Sequence, residues 1–438
     1  MPRCISALAP VLTTSIALAA PVPQLAPSAI SEAAGTVTAT MPDGSQREFE
    51  LRRQWRPFCA NGHDVMLGDL EALAERIKNR GPLKSVVSRS SRGGGLSIVW
   101  NVFGDSSPEA EAGLQATSDF FAENFHDDVT VTINVTFDPG SFGGTGPGSI
   151  LADYEDVRQA LLADADPDDT IQSLLPANSF PARRTFGGAV SQETEMLVTV
   201  SNARALGIDV GAGVVDADMF IGSQLDFVPE NGIGSPGQFG NYSGVDILIH
   251  EVGHALGFVN FIEFGSFESA PLDLFRFPET GSGDPATGSD FTSFPRALYL
   301  GSFSSAQQHQ FDDIASEAVL SNASDFQASH FRETNFGDPG APRVGVMEPA
   351  ITQFETRFPT YVSQADRNAF DAIGWDLFES CSVADLDEPF GVLDFNDVLA
   401  FLAAFGSMDA AADLAPPVGV FDFNDVLAFL GAFGAGCP

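Results

Sequence analysis

One nonapeptide, His250-Glu251-Val252-Gly253-His254-Ala255-Leu256-Gly257-Phe258, constrains this chain more than any other stretch. Around it Val245, Leu248, Ile249, Val252, Ala255 and Leu256 recur at spacings of three and four, the period of a helix with one buried face. Ser243 followed by Asp246 makes a capping box at its start, and Gly257 supplies a left-handed stop. Residues four apart on a helix lie one above the other, so His250 and His254 can turn both imidazoles toward one ion. Glu251 then stands beside that ion, able to take a proton from a bound water. Zinc would bring the pKa of such a water to about 7 and polarise a carbonyl. The pattern points to a zinc hydrolase. The competing reading is a buried helix that carries two histidines by chance.

A chain of 438 residues with 44% hydrophobic content has room for two or three domains with real cores. The net charge of −38 argues against nucleic acid and anionic membranes as partners. Four Cys cannot make a dense disulfide framework. Residues 1–19 read as a signal peptide: Arg3 gives a positive start, an apolar run follows, and Ala17-Leu18-Ala19 offers a small-residue cleavage site. That run is too short, and too broken by Pro10 and Thr13-Thr14-Ser15, to stay in a membrane as a span. The expected location is secreted, extracellular or cell-surface, with no transmembrane segment once the leader is removed.

Residues 20–95 form a mixed N-terminal region that could act as a pro-segment, with a strand near 36–40, a turn at Asp43-Gly44, a helix over 67–78 and a Ser/Arg/Gly linker at 88–95. Within it Cys59 could ligate the zinc through its thiolate and keep water out, or could be an ordinary structural or unpaired Cys. From 96 onward strands are expected at 96–102, 129–137, 195–202 and 214–221, with helices at 108–125 and 153–163. The Gly-rich stretch 139–149 reads as a loop. A mixed sheet with the His250 helix behind it is an α+β arrangement.

Two imidazoles leave a catalytic zinc site one protein ligand short. The candidates are His330, in Ser329-His330-Phe331; His309, in a polar stretch; and the carboxylates Glu263 and Asp273. Downstream of His330 come Gly345-Val346-Met347-Glu348-Pro349 and a segment with Phe370-Asp371-Ala372-Ile373-Gly374-Trp375. This order resembles leishmanolysin, a member of the metzincin zinc proteases. The metzincin pattern places its third His three residues after the Gly, where this chain has Asn260. In leishmanolysin the third His arrives after a long insertion, ahead of a Met-turn and a final helix. The resemblance spans about 96–378 and is strong only in these patches. It implies a metzincin-like fold, with His330 the third ligand, Glu251 the general base and Met347 the apolar floor under the metal. It also sets Cys59 beside the inhibitory cysteines of such pro-segments, although the surrounding residues match those poorly. A loop at 281–290, carrying Asp284 and Asp290, could hold calcium or could simply rim a cleft.

After residue 379 the chain repeats itself. Gly391-Val392-Leu393-Asp394-Phe395-Asn396-Asp397-Val398-Leu399-Ala400-Phe401-Leu402 returns as Gly419-Val420-Phe421-Asp422-Phe423-Asn424-Asp425-Val426-Leu427-Ala428-Phe429-Leu430. A duplicated acidic loop with a short apolar helix is similar to a dockerin, of the bacterial kind ending in Gly-Cys, here Gly436-Cys437. The resemblance implies a small all-α module over 379–438 that docks to a surface partner. Calcium could bind the first loop through Asp385, Asp387, Asp394 and Asp397, or two helices could pack without metal. Cys381 and Cys437 bracket the module and could close it with a disulfide. The expectation is an exported zinc endopeptidase acting on protein or peptide. The rivals are a non-catalytic surface or adhesion protein on a metal-stabilised protease fold, and a zinc hydrolase of a non-peptide amide.

Overall fold

The computed structural model describes residues 16–17, 31–54, 84–87, 95–104, 106–138, 142–165, 170–185, 187–227, 242–261, 268–278, 285–299, 306–308, 318–320, 328–331, 344–351, 363–377, 381–387, 391–408, 410–415 and 420–437. The expected leader lies outside these except Ile16-Ala17, which pair with Ala350-Ile351. The expected helix at 67–78, Cys59 and nearly all of the 88–95 linker also lie outside them.

The architecture is α+β. Its largest sheet contains β1 (Ser31–Thr40), β2 (Gln46–Gln54), β3 (Lys84–Val87), β4 (Ser97–Phe103), β5 (Thr130–Asp138), β6 (Gly143–Asp153), β7 (Glu195–Thr199) and β8 (Ala217–Gly222). Their spatial order is β1-β2-β6-β8-β5-β4-β3, and β7 pairs with β6 off this path. Only β4/β5 and β5/β8 run parallel; the other pairs are antiparallel. The β1–β2 hairpin turns where expected, with Ser45 N donating to Asp43 Oδ1 (2.8 Å) and Gly44 at φ 79°. Residues 31–54 and 84–87 thus add strands on both sides of the sheet.

Alternation in β4 and β5 buries Ile98, Trp100, Val102, Val131, Ile133 and Val135. Against them packs α1 (Pro108–Asn124), started by Ser107, whose side chain accepts from Ala110 N, with Glu109 and Glu111 in its first turn. A second helix, α2 (Tyr154–Asp164), follows β6 directly.

Two expectations are corrected. The stretch expected as a loop over 139–149 is, from Gly143 on, the first half of β6, paired with β8. Its glycines answer to close approach rather than to turning. A Cβ at Gly143 would meet Ile247 at 2.7 Å and the Glu251 carboxylate at 3.0 Å, and one at Gly144 would collide with the Phe220 ring. The strand expected over 195–202 ends at Thr199, whose hydroxyl accepts from Asn202 N and starts α3 (Val200–Ala205).

The central helix α4 (Gly244–Leu256) is buried along its whole length. Further on, α5 (Gly288–Ser293) begins at Thr287, and Asp290 accepts a backbone N–H from Ala286. Asp290 is therefore a capping residue; Asp284 lies outside the described residues. Helix α6 (Gln364–Ala372) starts at a Ser363–Asp366 capping box and ends before Gly374-Trp375.

Residues 381–437 have a core of their own, built from Ala384, Phe401, Ala412 and Phe429. Helices α7 (Phe395–Ser407) and α8 (Phe423–Ala435) stack Phe401 on Phe429 with ring centroids 4.2 Å apart. Cys381 and Cys437 are disulfide-bonded, with Cα atoms 5.3 Å apart. Among the described residues no helix is long and apolar enough to cross a membrane.

Candidate metal centre

Helix α4 is fixed at both ends. Ser243 Oγ accepts from Asp246 N, and Gly257, at φ 121°, halts the chain where a Cβ would press on Asn202 (3.1 Å) and Ile373 (3.2 Å). The last-turn carbonyls, which a helix cannot satisfy internally, find outside donors. Ser201 Oγ donates to Ala255 O, and Trp375 Nε1 to Leu256 O at 2.8 Å. From the sheet, Thr145 Oγ1 donates to Glu251 O at 3.0 Å, locking β6 against the helix. Rotation and tilt of α4 are therefore set by α3, β6 and the residues after α6.

His250, His254 and His330 converge, all three buried. His254 Nε2 lies 3.2 Å from the Nε2 of His250 and 3.2 Å from that of His330. A tetrahedral metal with nitrogens at about 2.0–2.1 Å holds its ligand atoms roughly 3.3–3.4 Å apart. The tautomers make the case stronger. His250 Nδ1 is 2.7 Å from Val346 O, and His254 Nδ1 is 2.7 Å from Phe258 O. A carbonyl only accepts, so both protons sit on Nδ1 and both Nε2 atoms present lone pairs to each other. Burial, then the neighbouring His330 and His250, hold the His254 pKa well below its ordinary value, so an extra proton on His254 does not relieve this. Lone pairs that close, in a buried site, repel unless a cation lies among them. The residues fit a metal ion.

No protein-family model, curated protein or solved structure matches this chain. The centre is read from its own geometry.

Glu251 is buried and its carboxylate lies against Gly143 of β6, one residue along from His250 on the helix. Met347 is fully buried and packs against Gly253, between the two helical histidines in sequence; a Cβ there would collide with the Met347 sulfur. The turn at 345–348 is held by Asp366 from the first turn of α6. Its Oδ2 accepts from Val346 N (2.8 Å) and its Oδ1 from Met347 N (3.2 Å). Burial raises the Asp366 pKa to about 6. Through Val346 O the same turn orients His250, as carbonyl partners do for metal-bound imidazoles.

The other expected residues fall as follows. His309, Glu263 and Cys59 lie outside the described residues. Asp273 is buried and bound to Asn260 and Arg276, with no part in the histidine cluster. In the C-terminal module, Asp394 caps α7, and Asp397 accepts from Leu386 N, Asp387 N and Asp394 N. Asp385 Oδ2 accepts from Cys381 N and Gly391 N, and Asp387 supplies one of the amides bound by Asp397.

Proposed function

We propose that this chain is a zinc-dependent endopeptidase of metzincin type, with its ligands in the order found in leishmanolysin. The observation that carries the reading is the set of three buried imidazoles with converging Nε2 atoms, and Glu251 next to the first of them. Neutral imidazoles suit zinc, and a purely structural site has no use for a buried carboxylate at that position. Bound zinc supplies a Lewis acid that lowers the pKa of a coordinated water and polarises a carbonyl. Glu251 then takes the proton of the attacking water and passes it to the departing amine.

Gly148 N donates to Asp216 O and Phe142 O accepts from Gly222 N, so the even-numbered groups of β6 face β8. The backbone groups of Gly143, Thr145 and Pro147 therefore face the opposite edge, and Pro147 has no N–H to leave unmet. No described strand pairs with that edge over 143–147. Residues 142–150 are buried in this structure, so a substrate strand would add to that edge, against the Glu251 carboxylate, only once it is uncovered.

Export fits the leader-like N-terminus and the Cys381–Cys437 disulfide, since such bonds persist in oxidising compartments. The dockerin-like module would tether the enzyme to a surface. Exposed Phe395, Leu399 and Leu402 on α7, and their repeats Phe423, Leu427 and Leu430 on α8, support a docking role. The test is proteolysis of an unfolded protein by the zinc-loaded chain and by Glu251→Gln, with fragments weighed and zinc assayed. The expected result is cleavage by the first, a loss of about 100-fold or more in the second, and equal zinc in both. Equal zinc with no cleavage by either would end the peptidase reading.

A further inference from the structure

The metzincin pattern would place a third His at residue 260, and this chain has Asn there. That Asn is wholly buried, and so are Asp273, Arg276 and Ser329, with 0, 0, 2 and 0% of their surfaces exposed. They make one hydrogen-bonded set. Asp273 Oδ1 accepts from Asn260 Nδ2 (2.5 Å) and Arg276 Nε (2.9 Å), while its Oδ2 accepts from Ala270 N (2.9 Å). Arg276 Nη2 reaches across to donate to Ala328 O at 2.8 Å. The Ser329 hydroxyl accepts from Asn260 N (2.8 Å) and donates back to Asn260 O (3.3 Å).

Both residues immediately ahead of His330 are therefore gripped: Ala328 by Arg276, and Ser329 by the backbone of Asn260. The residue after it is gripped as well, because Phe331 N donates to Met347 O at 3.0 Å. His330 is 76 residues from His254 along the chain, and connecting sequence of that length does not fix a side chain by itself. A buried Arg–Asp pair is a poor source of stability compared with apolar packing of the same volume, so its presence asks for another reason.

We infer that Asn260, Asp273, Arg276 and Ser329 are positioning residues for the third metal ligand: they hold the 328–330 segment so that His330 meets the metal bound by α4. This rests on the metal-centre reading. Asn260 stands where the compact pattern has a ligand, and here it anchors the segment that brings one from elsewhere.

The experiment uses the full chain and reads zinc affinity by chelator competition, together with the visible spectrum of the cobalt-substituted protein. His330→Ala, Ser329→Ala and the double variant complete a cycle. Ser329→Ala is expected to weaken zinc by about 10- to 100-fold, the range for lost supporting contacts, and to change the cobalt bands. In the His330→Ala background the same substitution should do nothing further, because there is no ligand left to position. Should Ser329→Ala fail to fold, Arg276→Lys, which keeps the charge but not the fork onto Ala328, takes its place in the cycle. If His330→Ala leaves affinity unchanged, the metal-centre reading itself fails. If His330→Ala weakens zinc but the positioning variant matches wild type, or its effect simply adds in the double variant, the positioning role is overturned.

Discussion

At the scale of single residues, each of the two helical histidines is given one direction. Val346 O and Phe258 O take the Nδ1 protons of His250 and His254, which leaves the Nε2 lone pairs facing inward. A buried carboxylate elsewhere shows the opposite economy. Asp127 accepts from Asp376 N at 2.9 Å, yet burial first, then the charges of Asp376 and Asp164, push its pKa up to about 8. A carboxyl raised above its ordinary value of 3.8 favours the fold while it stays protonated; that contribution fades as pH climbs from about 4 through about 8. Asp127→Asn should therefore stabilise the chain more at pH 8.5 than at pH 5, by ~1 kcal/mol or more at the higher pH. Thermal unfolding at the two pH values checks this. A variant less stable than wild type at pH 8.5 would show that the charge is accommodated better than its burial implies.

Elements explain what could be read in the sequence and what could not. Helix α4 announces itself through six apolar positions at helical spacing, a cap and a glycine stop, and it appears where expected. Strands β4 and β5 and helix α1 lie within a residue or two of their expected bounds, because alternation and the Ser107-Pro108 helix start are local signals. The first half of β6 was hidden. Its glycines look like a loop, and only the nearness of Ile247, Glu251 and Phe220 shows why side chains are absent there. That His330 joins the two helical histidines was legible only through resemblance, since nothing in spacing alone links it to a helix 76 residues away. Its supporting set was invisible for the same reason: Asn260 and Ser329 are 69 residues apart. Gly253 belongs to this scale as well. Gly253→Ala would drive a methyl into Met347, at a cost of about 1–3 kcal/mol, and should weaken metal binding by shifting the turn whose Val346 O holds His250. Adding Met347→Ala should relieve most of that strain, so the double variant should be more stable than the sum of the singles predicts. Strict additivity would mean that the two side chains do not meet.

At the scale of the whole molecule, residues 381–437 carry their own core and their own disulfide. Calorimetry should accordingly resolve a separate transition for this module, lowered by reductant while the transition of the larger sheet stays in place. Its loops are closed by carboxylates that accept backbone N–H groups: Asp397 takes three, and Asp425 takes those of Ala415 and Asp422. Those bonds, the one from Asp422 foremost, hold the Asp425 pKa below its ordinary value. A lowered carboxyl pKa adds stability above the unfolded value and loses it as pH falls through the folded one, so the module's transition should drop in acid. Calcium should shift that transition little at neutral pH, and a large upward shift on adding the ion would show instead that the loops are built for it.

The central claim is that three histidines from two distant parts of the chain hold one zinc. X-ray absorption at the zinc edge, on the loaded protein and on His330→Ala, tests it most directly. The account predicts imidazole nitrogens at about 2.0–2.1 Å, with three imidazoles in the first sample and two in the second. Identical spectra from the two samples would contradict it.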